Sequence, residues 1–180
     1  MIHENVERVM LDSATIESRI REVAAQLDRL YTGRKPVVVC ILKGSVVFFA
    51  DLIRNMKTTM EIDFMTVSSY GAGVKSTGDI KIIKDLSTDI KGRDVLIVED
   101  IIDSGNTLYN LKKKLITRAP ASVNIVTLLD KPDRREVPME PEYKCFTIED
   151  EFVIGYGLDY AEEYRNLPYV GVLKRSVYEK

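Results

Sequence analysis

Two adjacent carboxylates, Glu99 and Asp100, follow residues 95–98, the segment of the chain most typical of a buried strand. A third carboxylate, Asp103, comes shortly afterwards and opens a small polar turn over 104–107. Such a turn, with a helix behind it, offers backbone N–H groups and hydroxyls to a terminal phosphate. The carboxylates would repel that phosphate, but they can accept hydrogen bonds from a sugar diol or hold a divalent ion beside it. Together these residues predict a site for a ribose 5-phosphate.

Each residue of this segment also has a purely structural explanation, a polar strand end followed by an ordinary helix cap. That explanation is sufficient for any single carboxylate, whereas the whole string favours the phosphate site. Two other phosphate-binding motifs are not supported. The chain has no P-loop sequence, and the glycine-rich stretch over 71–76 lacks the third glycine and the following helix of a dinucleotide fingerprint.

The remaining reactive side chains narrow the available chemistry. The only histidine, His3, lies near an end of the chain that we expect to fray, so a serine–histidine pair is not predicted. Cys40 and Cys145 are too few and too far apart in sequence for a disulfide framework or a zinc site. Acid–base chemistry must therefore come from carboxylates, lysines or tyrosines.

Hydrophobic periodicity predicts the elements that must position these residues. Helices are predicted over 13–32, 45–54 and 107–118, the first capped by Asp12 or Ser13 and ended by Gly33. Strands are predicted over 36–42, 60–70, 79–84, 94–102 and 122–129. Strands and helices that alternate with short connections indicate right-handed βαβ units around a parallel sheet, so the predicted fold class is α/β. The region beyond 130 mixes short strands, Gly155, Gly157 and aromatic residues, and its architecture is not predicted.

Length and charge set further limits. The chain has 180 residues, with 26 basic and 28 acidic side chains and a net charge of −2. This length suits one domain over 1–180, without linker or repeat. The slightly acidic balance argues against nucleic-acid binding by bulk charge. No stretch approaches the roughly 18 apolar residues of a membrane span, and residues 1–8 lack the apolar core of a signal peptide. We therefore expect a cytoplasmic protein.

Residues 95–108 resemble the phosphoribosyl diphosphate signature of the type I phosphoribosyltransferases. They contain four hydrophobic residues, two acids, two hydrophobic residues, an acid and then small polar residues around a glycine. Further segments resemble the hypoxanthine-guanine branch of that family: Ile41-Leu42-Lys43-Gly44, Ser68-Ser69-Tyr70 with Ser76-Thr77-Gly78-Asp79, and the glycine-rich segment over 152–160. The resemblance implies a mostly parallel central sheet flanked by helices, a small hood and a flexible lid loop. From the residues alone, 71–78 fits a lid and an ordinary surface hairpin equally well.

The resemblance also implies an activity. Members of this branch transfer a 5-phosphoribosyl group from phosphoribosyl diphosphate to hypoxanthine or guanine, use Mg²⁺ and form homodimers or homotetramers. A non-catalytic, nucleotide-sensing regulator of the same fold is the alternative. The base-site residues, together with the lack of a basic surplus for nucleic acid, favour the enzyme.

Individual roles follow from the same resemblance. The residues implied to bind diphosphate are Lys43, Gly44 and Arg165. Those implied to bind ribose 5-phosphate are Glu99, Asp100, Asp103, Ser104, Gly105, Asn106 and Thr107, with Asp103 also the catalytic acid or base. Purine contacts are implied for Lys131, Phe152, Val153 and Asp159, a lid role for Ser69 and Tyr70, and metal binding for Glu99, Asp100 and Asp159.

Several of these roles would not be assigned without the resemblance. Taken alone, Lys131 and Arg165 fit solvated surface residues and Phe152 fits a core residue. One position also departs from the family, because many relatives have a lysine where this chain has Asn106. Backbone N–H groups and hydroxyls make most of the phosphate contacts in such a turn, so we expect phosphate binding to survive this change.

Overall fold

The computed structural model describes residues 2–69 and 80–179. The strands are β1 (Val6–Leu11), β2 (Val37–Leu42), β3 (Glu61–Ser69), β4 (Ile80–Lys84), β5 (Asp94–Ile102), β6 (Ser122–Asp130), β7 (Tyr143–Thr147), β8 (Val153–Ile154) and β9 (Val170–Leu173). The helices are α1 (Ser13–Leu30), α2 (Val46–Asn55), α3 (Asn106–Ile116) and α4 (Arg175–Tyr178), with a 3-10 turn at Pro132–Arg134.

The central sheet has the strand order β4-β3-β2-β5-β6-β7. Its strands pair in parallel, except that β4 runs antiparallel to β3 at one edge. The helices α1, α2 and α3 cover this sheet. The predicted α/β class, with a mostly parallel sheet flanked by helices, is confirmed.

Alternate residues of the central strands enter two separate hydrophobic clusters, because successive side chains of a strand point to opposite faces. On one face Val38 and Leu96 pack with α1 and α2. On the other face Val39 and Ile97 pack with α3. The sheet is therefore covered on both sides, which explains why β2 and β5 are continuous hydrophobic runs rather than alternating ones.

A smaller antiparallel sheet, in the order β1-β9-β8, forms the expected hood. Its strand β1 is not predicted, and the expectation that this end of the chain frays is wrong. The backbone N–H of His3 donates to the Tyr169 hydroxyl at 2.9 Å, and the His3 ring lies edge-on to Tyr164. The partners of β1 lie near the opposite end of the chain, where local periodicity carries no information about them.

Element boundaries differ from the predicted ones by a few residues. Helix α1 ends at Leu30, and α3 spans Asn106–Ile116 rather than 107–118. Asp12 is the cap of α1, since its Oδ1 accepts the backbone N–H of Thr15 at 2.8 Å. Strand β6 continues to Asp130, so Lys131 immediately follows its carboxyl end.

The segment predicted as a lid, over 71–78, lies outside the described residues, as does Tyr70. Ser69 is the last residue of β3. The lid role of Ser69 and Tyr70 stays a prediction. Within the described ranges, no helix combines the length and the apolar character needed to cross a membrane.

Asp63 ties β3 to the chain that follows β4. It is only 5% exposed, and its carboxylate accepts the backbone N–H groups of Phe64, Ser87 and Thr88 at 2.7, 2.7 and 2.9 Å. Burial by itself raises the pKa of Asp63, but these donors lower the pKa more, so it lies below its usual value. The ionised carboxylate therefore stabilises the folded state, and this contribution is lost as the pH falls through the folded-state pKa.

We predict that Asp63→Asn lowers the free energy of unfolding by about 1–3 kcal/mol at neutral pH, because the amide NH₂ would face backbone donors. Urea unfolding at neutral pH and in acid measures the effect. The difference between variant and wild type should narrow in acid, once the wild-type carboxylate is protonated. A difference independent of pH would contradict the assignment of the effect to the ionised carboxylate.

Candidate functional site

The carboxyl ends of β2 and β5 lie side by side, because the two strands are parallel neighbours. The loop after β2, the carboxylates of β5 and the turn before α3 therefore meet at one edge of the sheet, where ligands bind in open α/β folds. A cavity of about 340 Å³ opens there. Its lining includes Gly44, Glu99, Asp100, Asp103, Ser104, Gly105, Thr107, Asp159 and Arg165. The structure thus brings together most of the residues predicted to bind diphosphate and ribose 5-phosphate.

Two glycines allow the backbone to pack closely around Asp100. A Cβ atom on Gly44 would lie 1.7 Å from Asp100 Oδ2. A Cβ atom on Gly157 would lie 2.0 Å from the carbonyl oxygen of Gly44, and Gly157 has a φ of +103°, which side chains disfavour. The loop at Gly157 therefore packs directly on the loop at Gly44, which in turn packs on the carboxylate.

The two carboxylates of β5 are held in an unfavourable environment. Burial, followed by the negative charge of Asp100, raises the pKa of Glu99 well above its usual value. Burial also raises the pKa of Asp100, although nearby groups including Arg165 oppose this. Adjacent buried carboxylates disfavour each other's ionisation. A cation or a set of hydroxyl donors between them would offset that repulsion.

The residues predicted to bind diphosphate divide between the cavity and the surface. Arg165 lines the cavity, where its Nη1 lies 2.9 Å from Asp159 Oδ1 and donates to the Gly157 carbonyl at 2.9 Å. Lys43 is not among the lining residues. Its Nζ lies 3.0 Å from Glu162 Oε2, and both of these side chains are exposed. The structure therefore places Arg165 and the Gly44 backbone at the site, with the Lys43 charge directed elsewhere.

The polar turn before α3 has the backbone form expected of an anion site. Gly105 is the N-cap of α3 and has a φ of +79°, and the first N–H groups of a helix point out of its N-terminus. The Ser104 carbonyl is turned away to accept the backbone N–H of Glu136 at 2.9 Å. Asn106 does not line the cavity; its amide donates to Glu136 Oε2 at 2.6 Å. Thr107 lines the cavity.

Asp103 lines both this cavity and a second one. Its Oδ1 atom is buried and accepts no hydrogen bond from the described residues. The nearest cations are Lys131 Nζ and Arg134 Nε, each 3.7 Å from that oxygen. A buried carboxylate oxygen that accepts no hydrogen bond from its own protein is uncommon and marks Asp103 as a functional candidate.

The second cavity, of about 480 Å³, is lined by apolar and charged side chains, with Lys131 among the charged ones. The walls include Phe152 and Val153. Lys131 is only 6% exposed; its Nζ donates to the Glu151 carbonyl at 2.7 Å and lies 3.6 Å from Asp150 Oδ1. Further lining residues are the charged Asp100, Asp103, Arg134, Asp150, Glu151 and Asp159, together with Ile101, Leu158 and Tyr178. The predicted purine residues Lys131, Phe152, Val153 and Asp159 therefore share one cavity that adjoins the first.

Sequence reasoning missed several residues at this site. Arg135 anchors the start of the polar turn, since its Nη1 donates to the Asp103 carbonyl at 2.6 Å. Its other arm pairs with Asp130, which is fully buried. Gly157 and Tyr178 were also missed as site residues. Gly157 lies close in sequence to Asp159, a signal that could have found it, whereas nothing in the sequence indicated Tyr178.

The fold and the site define a phosphoribosyltransferase, and the phosphoribosyl transferase domain family matches residues 10–161. A hypoxanthine-guanine phosphoribosyltransferase of Streptococcus pneumoniae is 52% identical over 178 residues, which cover 99% of each chain. One from Streptococcus thermophilus is 47% identical over all of both chains. The crystal structure of a Staphylococcus aureus hypoxanthine phosphoribosyltransferase, 49% identical, superposes with a TM-score of 0.96 over 99% of this chain and 97% of the other. This chain belongs to the hypoxanthine-guanine branch of the phosphoribosyltransferase family.

We predict that Glu99→Gln raises the thermal unfolding midpoint of the protein in a chelating buffer. The folded-state pKa of Glu99 is raised, so its ionisation destabilises the folded state at neutral pH, and the substitution removes that charge. The midpoint should rise by about 2–4 °C for each kcal/mol of relief. The gain should vanish in acid, where wild-type Glu99 is protonated.

The matched control is Glu61→Gln, on β3. Hydrogen bonds from Arg93 and Thr88 lower the pKa of Glu61, so its ionised form stabilises the folded state and the control should lower the midpoint at neutral pH. The same direction of change in both variants would contradict the electrostatic account of Glu99.

Proposed function

We propose that this protein transfers the 5-phosphoribosyl group of phosphoribosyl diphosphate to N9 of hypoxanthine or guanine, giving IMP or GMP and diphosphate. The observation that carries the proposal is that Asp103 lines two cavities. One contains the polar turn before α3, and the other contains Phe152 and the buried Lys131. Similarity along the whole chain to hypoxanthine-guanine phosphoribosyltransferases supports the same reaction. A non-catalytic regulator is not favoured, because the four residues predicted to contact the purine share one cavity, which adjoins the cavity proposed for the phosphate.

The phosphate of the substrate binds at the turn formed by Ser104, Gly105, Asn106 and Thr107. The N-terminus of α3 gives this turn a positive potential, and the hydroxyls add donors. Asn106 contributes through its backbone, since its side chain is engaged by Glu136. Glu99 and Asp100 face the same cavity and accept hydrogen bonds from the ribose diol. Their negative charge also stabilises the positive charge that develops on the sugar as the glycosidic bond breaks.

The diphosphate leaves toward Gly44 and Arg165. Gly44 presents backbone close to Asp100, and Arg165 offers a fixed fork of donors to phosphate oxygens. Lys43 joins this group by exchanging its surface partner Glu162 for diphosphate. An exposed ion pair contributes little to stability, so that exchange costs little free energy.

Magnesium fits the donor set of the first cavity. Glu99, Asp100 and Asp159 offer the hard oxygen ligands that Mg²⁺ prefers. A cation would offset the burial that raises the pKa of the first two, and the charge of Asp100 that raises the pKa of Glu99 further. Among the described residues no group of three or more acidic, histidine or cysteine side chains is already arranged to hold a metal. One or two of the carboxylates Glu99, Asp100 and Asp159 would hold the ion together with substrate oxygens. When bound, it would neutralise charge on the leaving diphosphate.

The base is held in the second cavity and loses its proton to Asp103. Phe152 and Val153 pack on the purine, Asp159 lies at its edge, and Lys131 donates a hydrogen bond to O6. As N9 forms its bond to the sugar, the Asp103 carboxylate accepts the proton at N7. In the free protein its buried Oδ1 accepts no hydrogen bond from any described residue, so it is available for this transfer.

The proposal also covers the assembly of the protein and its place in the cell. The protein acts as one domain that assembles into a homodimer or homotetramer, as the family resemblance implies. It works in the cytoplasm, which is supported by two cysteines that are both buried and unpaired, as is usual in a reducing compartment.

The proposal is tested by measuring diphosphate release from phosphoribosyl diphosphate with hypoxanthine, guanine or adenine. Hypoxanthine and guanine should support release and adenine should not. Excess chelator should abolish release, and added Mg²⁺ should restore it. Full activity in excess chelator would show that the reaction does not need the metal. If no base supported diphosphate release, the proposed function would be overturned.

We predict that Asp103→Asn lowers kcat by about 10²–10⁴-fold, the usual loss when a general acid or base is removed. The KM for phosphoribosyl diphosphate should change much less, because the phosphate turn keeps its backbone. Asp133→Asn, an exposed aspartate in the neighbouring 3-10 turn, is the matched control and should leave kcat near the wild-type value. A kcat for Asp103→Asn within a few-fold of wild type would exclude the proposed proton transfer.

We predict that Lys131 decides which purines are accepted. Lysine only donates hydrogen bonds, so it favours the O6 acceptor of a 6-oxopurine and opposes the amino group of adenine. Lys131→Ala should lower kcat/KM for guanine by about 10–150-fold, the equivalent of one hydrogen bond to a charged group. The KM for phosphoribosyl diphosphate is the internal control. If the wild type used adenine as well as guanine, or if kcat/KM for guanine were unchanged in the variant, the assignment of Lys131 to the base site would be wrong.

A further inference from the structure

Phe152 has an aromatic partner at the C-terminal end of the described chain. The Tyr178 ring stacks on it with centroids 4.9 Å apart and an interplanar angle of 22°. Tyr160 makes an edge contact at 5.6 Å and 84°. Phe152 nevertheless remains 40% exposed. Its ring is therefore held by neighbours while part of its surface stays open to the second cavity.

The spacing of the two stacked rings excludes a base from the gap between them. A planar base needs roughly 3.5 Å on each side, or about 7 Å between the flanking rings. Tyr178 and Phe152 are only 4.9 Å apart. A purine that stacks on Phe152 must therefore use the face opposite Tyr178.

The short helix that carries Tyr178 is fixed relative to the backbone of Phe152. The N–H of Leu173, at the end of β9, donates to the Phe152 carbonyl at 2.9 Å. Val177 packs against the buried cluster that contains Ile154 and Leu173. Because helix and strand belong to one packed unit, the Tyr178 ring has a defined place behind Phe152.

We propose that Tyr178 is a positioning residue of the base site, which holds the Phe152 ring in the orientation that receives a 6-oxopurine on its other face. This inference rests on the proposed function. A half-exposed phenylalanine without that support would rotate among several orientations and lose this freedom when the base binds. Stacking by Tyr178 removes that cost beforehand, as preorganised sites do.

The first test compares Tyr178→Ala, Tyr178→Leu and Tyr178→Phe by steady-state kinetics. Tyr178→Phe keeps the stacked ring and should behave like wild type. Tyr178→Ala and Tyr178→Leu should raise the KM for guanine by about 2–12-fold, the range that corresponds to one aromatic pair. The KM for phosphoribosyl diphosphate should not change, because Tyr178 lines the base cavity and does not line the first cavity. Tyr178→Leu keeps apolar packing without stacking and serves if the alanine variant fails to fold.

The second test is a double-mutant cycle with Phe152→Ala. If Tyr178 acts through Phe152, Tyr178→Ala should add little further loss of guanine affinity in the Phe152→Ala background. Additive effects would show a general structural role and overturn the proposal. An unchanged KM for guanine in Tyr178→Ala would also overturn it, as would a Tyr178→Phe variant whose KM for guanine is no better than that of Tyr178→Ala. A fall in the KM for guanine would overturn it too, because it would mean that Tyr178 covers the base site.

Equilibrium binding of GMP, measured by calorimetry, separates this inference from the proposed reaction. If the wild-type protein binds GMP but transfers no phosphoribosyl group, the proposed function is wrong. The affinity of the same Tyr178 variants for GMP would then decide the role of Tyr178. A wild-type protein that binds no GMP would overturn both proposals.

Discussion

The burial of two adjacent carboxylates at the end of a central strand is the constraint on which the rest of the site depends. Glu99 and Asp100 lie near the carboxyl end of β5 and line a cavity. Burial raises the pKa of both, and the charge of Asp100 raises that of Glu99 further. A protein that only had to be stable would not retain such a pair, because desolvated like charges oppose folding. The surroundings are arranged to keep it in place: glycine at 44 leaves room for the Asp100 carboxylate, and glycine at 157 leaves room for the backbone of 44.

The site is built from two parts of the fold, the central sheet and the hood. The central sheet supplies the carboxylates, the phosphate turn and Lys131, whereas the hood and its flanking loops supply Phe152, Asp159 and Arg165. Asp103 lies where the two cavities meet, and its backbone is fixed from the central sheet side by Arg135. In the proposed reaction, Asp103 accepts a proton from a base in one cavity while the sugar occupies the other. The proposed chemistry therefore needs both sheets in a defined relation, although no strand is shared between them.

The sequence by itself determined the frame and the reactive segment. Continuous apolar runs at β2 and β5 are typical of strands buried on both faces, so they predict a parallel sheet covered by helices. The string from 95 to 107 predicted the phosphate and ribose site, because strand, carboxylates, polar turn and helix are consecutive and their geometry is local. The family resemblance added the residues of the base site, and the structure places Lys131, Phe152, Val153 and Asp159 in one cavity.

Only the tertiary structure decided the features that join distant parts of the chain. The pairing of β1 with β9, the stacking of Tyr178 on Phe152 and the contact of Gly157 with Gly44 connect residues from different regions. It also decided that Arg165 faces the cavity whereas the Lys43 charge pairs with Glu162 at the surface. Local periodicity reports which face of an element is buried, but not which distant element covers it. Those partners are set by how the packed sheets bring the ends of the chain together.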